Sequence, residues 1–251
     1  MIDLRTIDGI YFVGIGGIGM SALALYYEQE GFLTGGYDRS ESSITRSLAE
    51  KGCLITYEDS LKELPPLFGD IKFRERVIVV YTPAIPPTNK ILSYFRGNRY
   101  RIYKRSEILG EISATGDTVA IAGTHGKTTL STMTAHLFKQ SRVDCTAFLG
   151  GISKNYGSNL IPGQGRYIVM EADEYDRSFH RLSPLMAVVT SVDADHLDIY
   201  GDHQSMIFSH LPAPEAGPLL VCPLFLVKKK TKREMPTIRQ PYQTQSVLWH
   251  K

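Results

Sequence analysis

Residues 123–129 read Gly-Thr-His-Gly-Lys-Thr-Thr and follow directly on the apolar run Val119-Ala120-Ile121-Ala122. A short apolar run, a glycine turn and a Lys-Thr-Thr helix start describe a buried strand feeding a helix. That unit belongs in an α/β fold built on a parallel sheet. Backbone N–H groups and the positive end of the helix dipole then face one point, which suits a nucleotide triphosphate. Gly123, Thr124, His125, Gly126, Lys127, Thr128 and Thr129 are the candidate ATP-binding residues. Lys127 would reach the β- and γ-phosphates, and the Thr128 hydroxyl would sit on Mg²⁺. The common phosphate-loop spacing wants a glycine five residues before Gly126, where this chain has Ile121, so a shorter loop must make the same cradle.

A second glycine cluster lies near the N-terminus. Ile10-Tyr11-Phe12-Val13 reads as a strand, Gly14-Ile15-Gly16-Gly17-Ile18-Gly19 as a phosphate-approach turn, and residues from about Ser21 to Gln29 as a helix. Asp38 follows Gly16 by about 20 residues, after a strand over Leu33–Tyr37, as a Rossmann-type unit expects. A dinucleotide and a UDP-linked ligand need the same pyrophosphate geometry, and the motif does not choose between them. Further strands are expected at Val77–Val80, Arg101–Tyr103, Tyr167–Met170 and Ala187–Thr190. Helices are expected at Ile44–Lys51, Asn89–Arg96, Ser106–Ile112 and Lys127–Lys139. The alternation predicts doubly wound parallel sheets, with a boundary at Ala114-Thr115-Gly116-Asp117 where the second unit begins.

Two acidic segments stand at the ends of expected strands. Glu171-Ala172-Asp173-Glu174-Tyr175-Asp176 follows Tyr167–Met170, and Glu171, first after the apolar run, is the candidate Mg²⁺ ligand because that hard cation prefers oxygen donors. Asp173, Glu174 and Asp176 fit a solvated loop equally well. Asp193-Ala194-Asp195-His196-Leu197-Asp198 follows Ala187–Thr190, and His196 is placed to ligate a second Mg²⁺ or to meet a phosphate oxygen. His125 is read as a contact to phosphate or substrate, whereas His203 and His210 have no supporting context.

Composition narrows the function classes. A net charge of +2 and 22% charged residues give no global attraction to nucleic acid or membrane. The three cysteines, Cys53, Cys145 and Cys222, lie far apart, which points to a reducing compartment and packing roles. The start of the chain carries Asp3 and Asp8 and lacks a secretory pattern. The apolar run Leu219–Val227 is broken by Pro223 and is too short to span a bilayer. The expectation is a cytoplasmic protein with small-molecule partners; no oligomeric state follows from the sequence.

Taken together, Phe12-Val13-Gly14-Ile15-Gly16-Gly17-Ile18-Gly19-Met20-Ser21, the Gly123–Thr129 loop, Glu171-Ala172-Asp173-Glu174 and Asp193–Asp198 occur in an order and spacing that resemble the Mur ligases of peptidoglycan synthesis. The resemblance covers roughly residues 5 to 207. Within that family the Gly-Met-Ser opening and the histidine in the phosphate loop look most like the members that join L-alanine to UDP-N-acetylmuramate at the expense of ATP. The resemblance implies an N-terminal Rossmann-like UDP-substrate domain over residues 1–112 and part of a P-loop-type ATPase domain over 113–207. It also implies that a substrate carboxylate attacks the γ-phosphate and that the resulting acyl phosphate is displaced by the amine. By the same matching Lys127, Glu171 and His196 are catalytic, while Thr128, Glu171 and His196 hold Mg²⁺. Gly14, Gly16, Gly17, Gly19, Met20, Ser21 and Asp38 would bind the UDP moiety, and Asn155 and Asn159 fall where the family shapes its substrate cleft.

Residues 208–251 depart from the pattern. The segment from 211 on holds seven Lys/Arg against Glu215 and Glu234, six prolines, and no helical or alternating period. The expectation is a basic, proline-broken tail, disordered or introduced by a frameshift in place of the family's continuation, with activity lost or impaired. Resequencing the locus tests that expectation. A UDP-sugar-binding fragment without catalysis, a muropeptide-recycling ligase of the same family and a nicotinamide-dependent oxidoreductase are the competing readings. The last leaves the Lys127 loop without a purpose.

Overall fold

The computed structural model describes residues 2–172, 181–190 and 219–221. The first unit alternates strand and helix: β1 (Gly9–Val13), α1 (Ile18–Gln29), β2 (Leu33–Tyr37), α2 (Ser43–Glu50), β3 (Leu54–Thr56), α3 (Pro66–Gly69), β4 (Val77–Tyr81), α4 (Lys90–Gly97), β5 (Arg101–Lys104) and α5 (Arg105–Ser113). Its sheet has the order β3-β2-β1-β4-β5 with every neighbouring pair parallel. Helices cover both faces. Ile10, Phe12, Ile78 and Val80 point into one buried cluster, while Tyr11, Val13, Val77 and Val79 point into another with Phe68 and Phe95. Unbroken apolar strands are what two covered faces require. The chain crosses over between β1 and its two neighbours, so a crevice opens beyond the carboxyl ends of β1 and β4, the place where open parallel sheets take ligands.

The second sheet is built from β6 (Asp117–Ala122), β7 (Cys145–Ser153), β8 (Ser158–Ile161), β9 (Tyr167–Glu171), β10 (Met186–Val189) and β11 (Leu219–Val221), with α6 (Lys127–Gln140) packed on it. The order is β11-β10-β6-β9-β7-β8, parallel throughout except for the antiparallel β7–β8 hairpin. The sequence analysis expects no strand between Lys139 and Tyr167, and the hairpin forms there although it carries Gly150, Gly151 and Gly157. Ala147, Leu149, Ile161 and Val169 bury against Ala135 of α6, and this burial outweighs the glycines. β11 is a second difference: Leu219–Val221 pairs with Ala187–Val189, inside the segment expected to lack regular structure. The rest of that segment lies outside the described residues.

One helix serves both sheets. Residues 20–25 of α1 are buried without a break, and so is Tyr27. The helix packs on β1 and β2 and also on β7 and β8; Phe148 of β7, Leu160 of β8, and Ile168 and Met170 of β9 join its core cluster. A helix that is apolar all round belongs between two layers, and Ile18 to Tyr27 read that way. Among the described residues no helix is long and apolar enough to cross a membrane.

Candidate phosphate and metal site

β6 ends at Ala122 and α6 begins at Lys127, so four residues make the turn. Gly123 at φ +117° and Gly126 at φ +79° occupy conformations that side chains rarely adopt. Thr190, the first residue after β10, donates its backbone N–H to the Ala122 carbonyl at 3.0 Å and its hydroxyl to the His125 carbonyl at 2.5 Å. The short loop is thereby pinned to its neighbouring strand, which supplies the rigidity that a longer phosphate loop obtains from its own turns. Thr124 is buried, while His125 and Thr129 are exposed. Lys127 bends back over the turn, its Nζ donating to the Gly123 carbonyl at 2.7 Å and to that of Thr124 at 3.4 Å.

The Thr128 hydroxyl, in the first turn of α6, donates to Glu171 Oε1 at 3.0 Å. The register that sets Ile121 beside Glu171 brings the carboxylate to the loop. Its second oxygen accepts the Gly150 N–H at 2.8 Å and the Ser131 hydroxyl at 3.4 Å. Sequence reasoning missed Gly150, Ser131 and Thr190. A serine one helical turn beyond Thr128 was the available signal for Ser131; no local signal marked the other two.

These residues fit a Mg²⁺ ion. A hydroxyl and a carboxylate in contact form a hard oxygen pair, and Mg²⁺ takes one or two carboxylates with water and substrate phosphates completing its shell. Among the described residues no cluster of three or more His, Cys, Asp or Glu side chains could hold a metal; Glu171 is the carboxylate in contact with Thr128. His196, with Asp173, Glu174, Asp176 and the Asp193–Asp198 segment, lies outside the described residues.

At the other glycine loop, Gly14 (φ +92°) and Ile15 donate their N–H groups to the Tyr37 carbonyl at 2.7 and 3.0 Å. Asp38 Oδ2 accepts from the Gly16 N–H at 2.7 Å. Asp38 therefore shapes the loop as well as facing its crevice. A β-carbon on Gly19 would stand 2.0 Å from the Arg105 guanidinium, which brings a cation to the start of α1; Arg105 was not singled out from sequence. Gly17 has no such close neighbour. Met20 and Ser21, also expected at the UDP site, have buried side chains. Met20 is buried in the core, and the Ser21 hydroxyl donates to the Ile18 carbonyl at 2.9 Å and receives the Asn159 amide, also at 2.9 Å. Both back the loop through packing, because the second sheet covers that side of α1.

Residues 9–116 match the family described as Mur ligase family, catalytic domain, and residues 121–211 match the Mur ligase middle domain. The chain is 52% identical over 209 residues to the UDP-N-acetylmuramate–L-alanine ligase of Phocaeicola vulgatus, covering 83% of this chain and 45% of that protein. With the corresponding ligase of Cytophaga hutchinsonii it shares 48% identity, covering 81% and 44%. Among solved structures, the UDP-N-acetylmuramate-alanine ligase of Thermotoga maritima superposes with a TM-score of 0.71 at 31% identity, over 80% of this chain and 45% of that one. The UDP-N-acetylmuramate:L-alanyl-gamma-D-glutamyl-meso-diaminopimelate ligase of Neisseria meningitides shares the fold, with a TM-score of 0.73 at 22% identity, over 86% and 71%. The chain thus spans less than half the length of these curated relatives. Two successive family domains matched in order, on a sheet pair that carries both glycine loops and the Thr128–Glu171 contact, establish that this chain belongs to the Mur ligase family.

Proposed function

We propose that this chain supplies the UDP-substrate unit, residues 1–112, and the ATP-binding unit, residues 113–207, of a ligase that joins L-alanine to UDP-N-acetylmuramate in the cytoplasm. The contact between Thr128 and Glu171 carries the reading, because a hydroxyl and a carboxylate side by side at the start of α6 suit a hard cation.

The chemistry brings negative oxygens together. A carboxylate must approach a triphosphate, so repulsion dominates the barrier, and fixed positive charge and oriented N–H groups are what offset it. Lys127 exchanges its loop carbonyls for phosphate oxygens, and Gly123 to Thr129 present the helix start to the same oxygens. Mg²⁺ when bound supplies further charge neutralisation; Thr128 and Glu171 would hold it, with His196 assigned to a second ion by family resemblance. Gly150 and Ser131 orient the Glu171 carboxylate. Gly14, Gly16, Gly17 and Gly19, with Asp38, form the pyrophosphate turn for the UDP moiety, and Met20 and Ser21 support it from behind. The carboxylate of the UDP-linked sugar attacks the γ-phosphorus and ADP leaves. The alanine amine then adds to the acyl carbon, and phosphate departs from the tetrahedral intermediate.

Phosphate release with ATP, UDP-N-acetylmuramate and L-alanine, run beside calorimetric titrations of UDP-N-acetylmuramate and of a non-hydrolysable ATP analogue with Mg²⁺, tests the proposal. A parallel arm replaces alanine by an alanyl-glutamyl tripeptide to identify the acceptor. Binding of both nucleotides supports the reading; absence of ATP-analogue binding discards it.

A further inference from the structure

The β7–β8 hairpin touches both glycine loops. Its ladder pairs Ala147 with Ile161 and Phe148 with Leu160, then breaks register before Ser153 meets Ser158. Such irregularities free backbone groups and re-aim side chains, and they gather beside functional sites. On β7 the irregular stretch releases the Gly150 N–H, which binds Glu171 Oε2. A β-carbon on Gly150 would lie 2.2 Å from Glu171 Oε1, so a side chain there would shift the carboxylate from this position. On β8, across from the same stretch, stands Asn159.

Asn159 is 2% exposed. Its Nδ2 donates to the Ile18 carbonyl at 2.5 Å and to the Ser21 hydroxyl at 2.9 Å. Because Ile18 offers a carbonyl, the group facing it must be the donating end of the amide. Ile18 directly follows Gly16-Gly17, and Ser21 lies one turn into α1. We infer that Asn159 is a positioning residue for the glycine-rich loop: it fixes the first turn of α1 to the hairpin whose other strand orients Glu171. The separation of the two anion-binding loops is then set by one rigid hairpin and is not left to the packing of apolar side chains. Apolar packing is non-directional and permits sliding, whereas a paired amide sets a register. The contact borders a cavity of about 180 Å³ lined also by Ser43, Ser47 and Ile152, so shortening Asn159 enlarges an existing space and spares the core.

The inference rests on the proposed function only for the identity of the ligands. The test measures amide hydrogen exchange and calorimetric binding on the whole chain carrying Asn159→Ala. Exchange at residues 16–21 should quicken by about five-fold or more. UDP affinity should fall by about five-fold, while affinity for the Mg²⁺–ATP analogue stays within about two-fold. Ser21→Ala, which removes one of the two acceptors, should give a smaller shift in the same direction and serves if the first variant does not fold. Unchanged exchange at residues 16–21 in a folded variant, or equal weakening of both ligands, overturns the inference. Failure of the unaltered chain to bind either ligand would instead reject the proposed function, and the exchange measurement would still decide the role of Asn159.

Discussion

Thr128 Oγ1 and Glu171 Oε1 lie 3.0 Å apart although 43 residues separate them in the chain. The contact exists because β6 and β9 are parallel neighbours in register, so both end at the same edge. Thr128→Val removes the hydroxyl and Glu171→Gln removes the carboxylate charge and one of its two oxygens, both with shape preserved. Each should raise the Mg²⁺ concentration needed for ATP-analogue binding by about ten-fold or more. Titration of Mg²⁺ at fixed nucleotide reads this directly, and an unchanged requirement in both variants removes the site.

Lys127 Nζ donates to the Gly123 and Thr124 carbonyls, which holds its ammonium group at the start of α6. Lys127→Ala should abolish measurable ATP-analogue binding and leave UDP-N-acetylmuramate affinity within about two-fold. In a full-length counterpart it should lower kcat by about 10² to 10³, the scale of one lost transition-state charge contact. Equal loss of both binding activities would contradict the division between the two loops.

Gly150 has no room for a side chain beside Glu171. Gly150→Ala displaces the Glu171 carboxylate, the far end of a flexible side chain, from the Gly150 N–H and from Thr128. A urea titration should show a lower midpoint, accompanied by weaker nucleotide binding. A midpoint and an affinity both equal to those of the unaltered chain would mean that the hairpin yields freely.

Burial pushes the Cys53 thiol up to about 11 and that of Cys145 upward as well. The thiolate is the reactive form, so neither should be alkylated by iodoacetamide at pH 8 until the chain is unfolded; mass spectrometry of the labelled protein checks this. Burial likewise raises the Tyr11 hydroxyl to about 12. In all three groups the folded state keeps the proton that the unfolded chain releases more readily. The stability they contribute is present in full below about pH 9 and is lost as pH rises through 11 and 12. Thermal melts should therefore fall steeply on the alkaline side.

Much of the fold was legible because the relevant signals are local. Val77–Val80 and Tyr167–Met170 are apolar runs of strand length, and both became strands with one more residue each. Leu33–Tyr37 was read to the residue despite Gly35-Gly36. The hairpin of β7 and β8 was hidden, since its glycines look like turns until the Glu171 carboxylate and α6 are beside them. Ser21 is expected at the UDP site by family resemblance, and no spacing along the chain marks the bond its hydroxyl accepts from Asn159, 138 residues away.

The sequence alone determined the two glycine-rich strand–turn–helix units, since apolar runs, glycines and helix starts act over a few neighbouring residues. Tertiary structure alone decided what surrounds them. Strand order carried Glu171 to Thr128, and a helix shared by two sheets brought Asn159 to Ile18. Contacts of that kind depend on which distant surfaces bury one another, and no spacing along the chain encodes that choice.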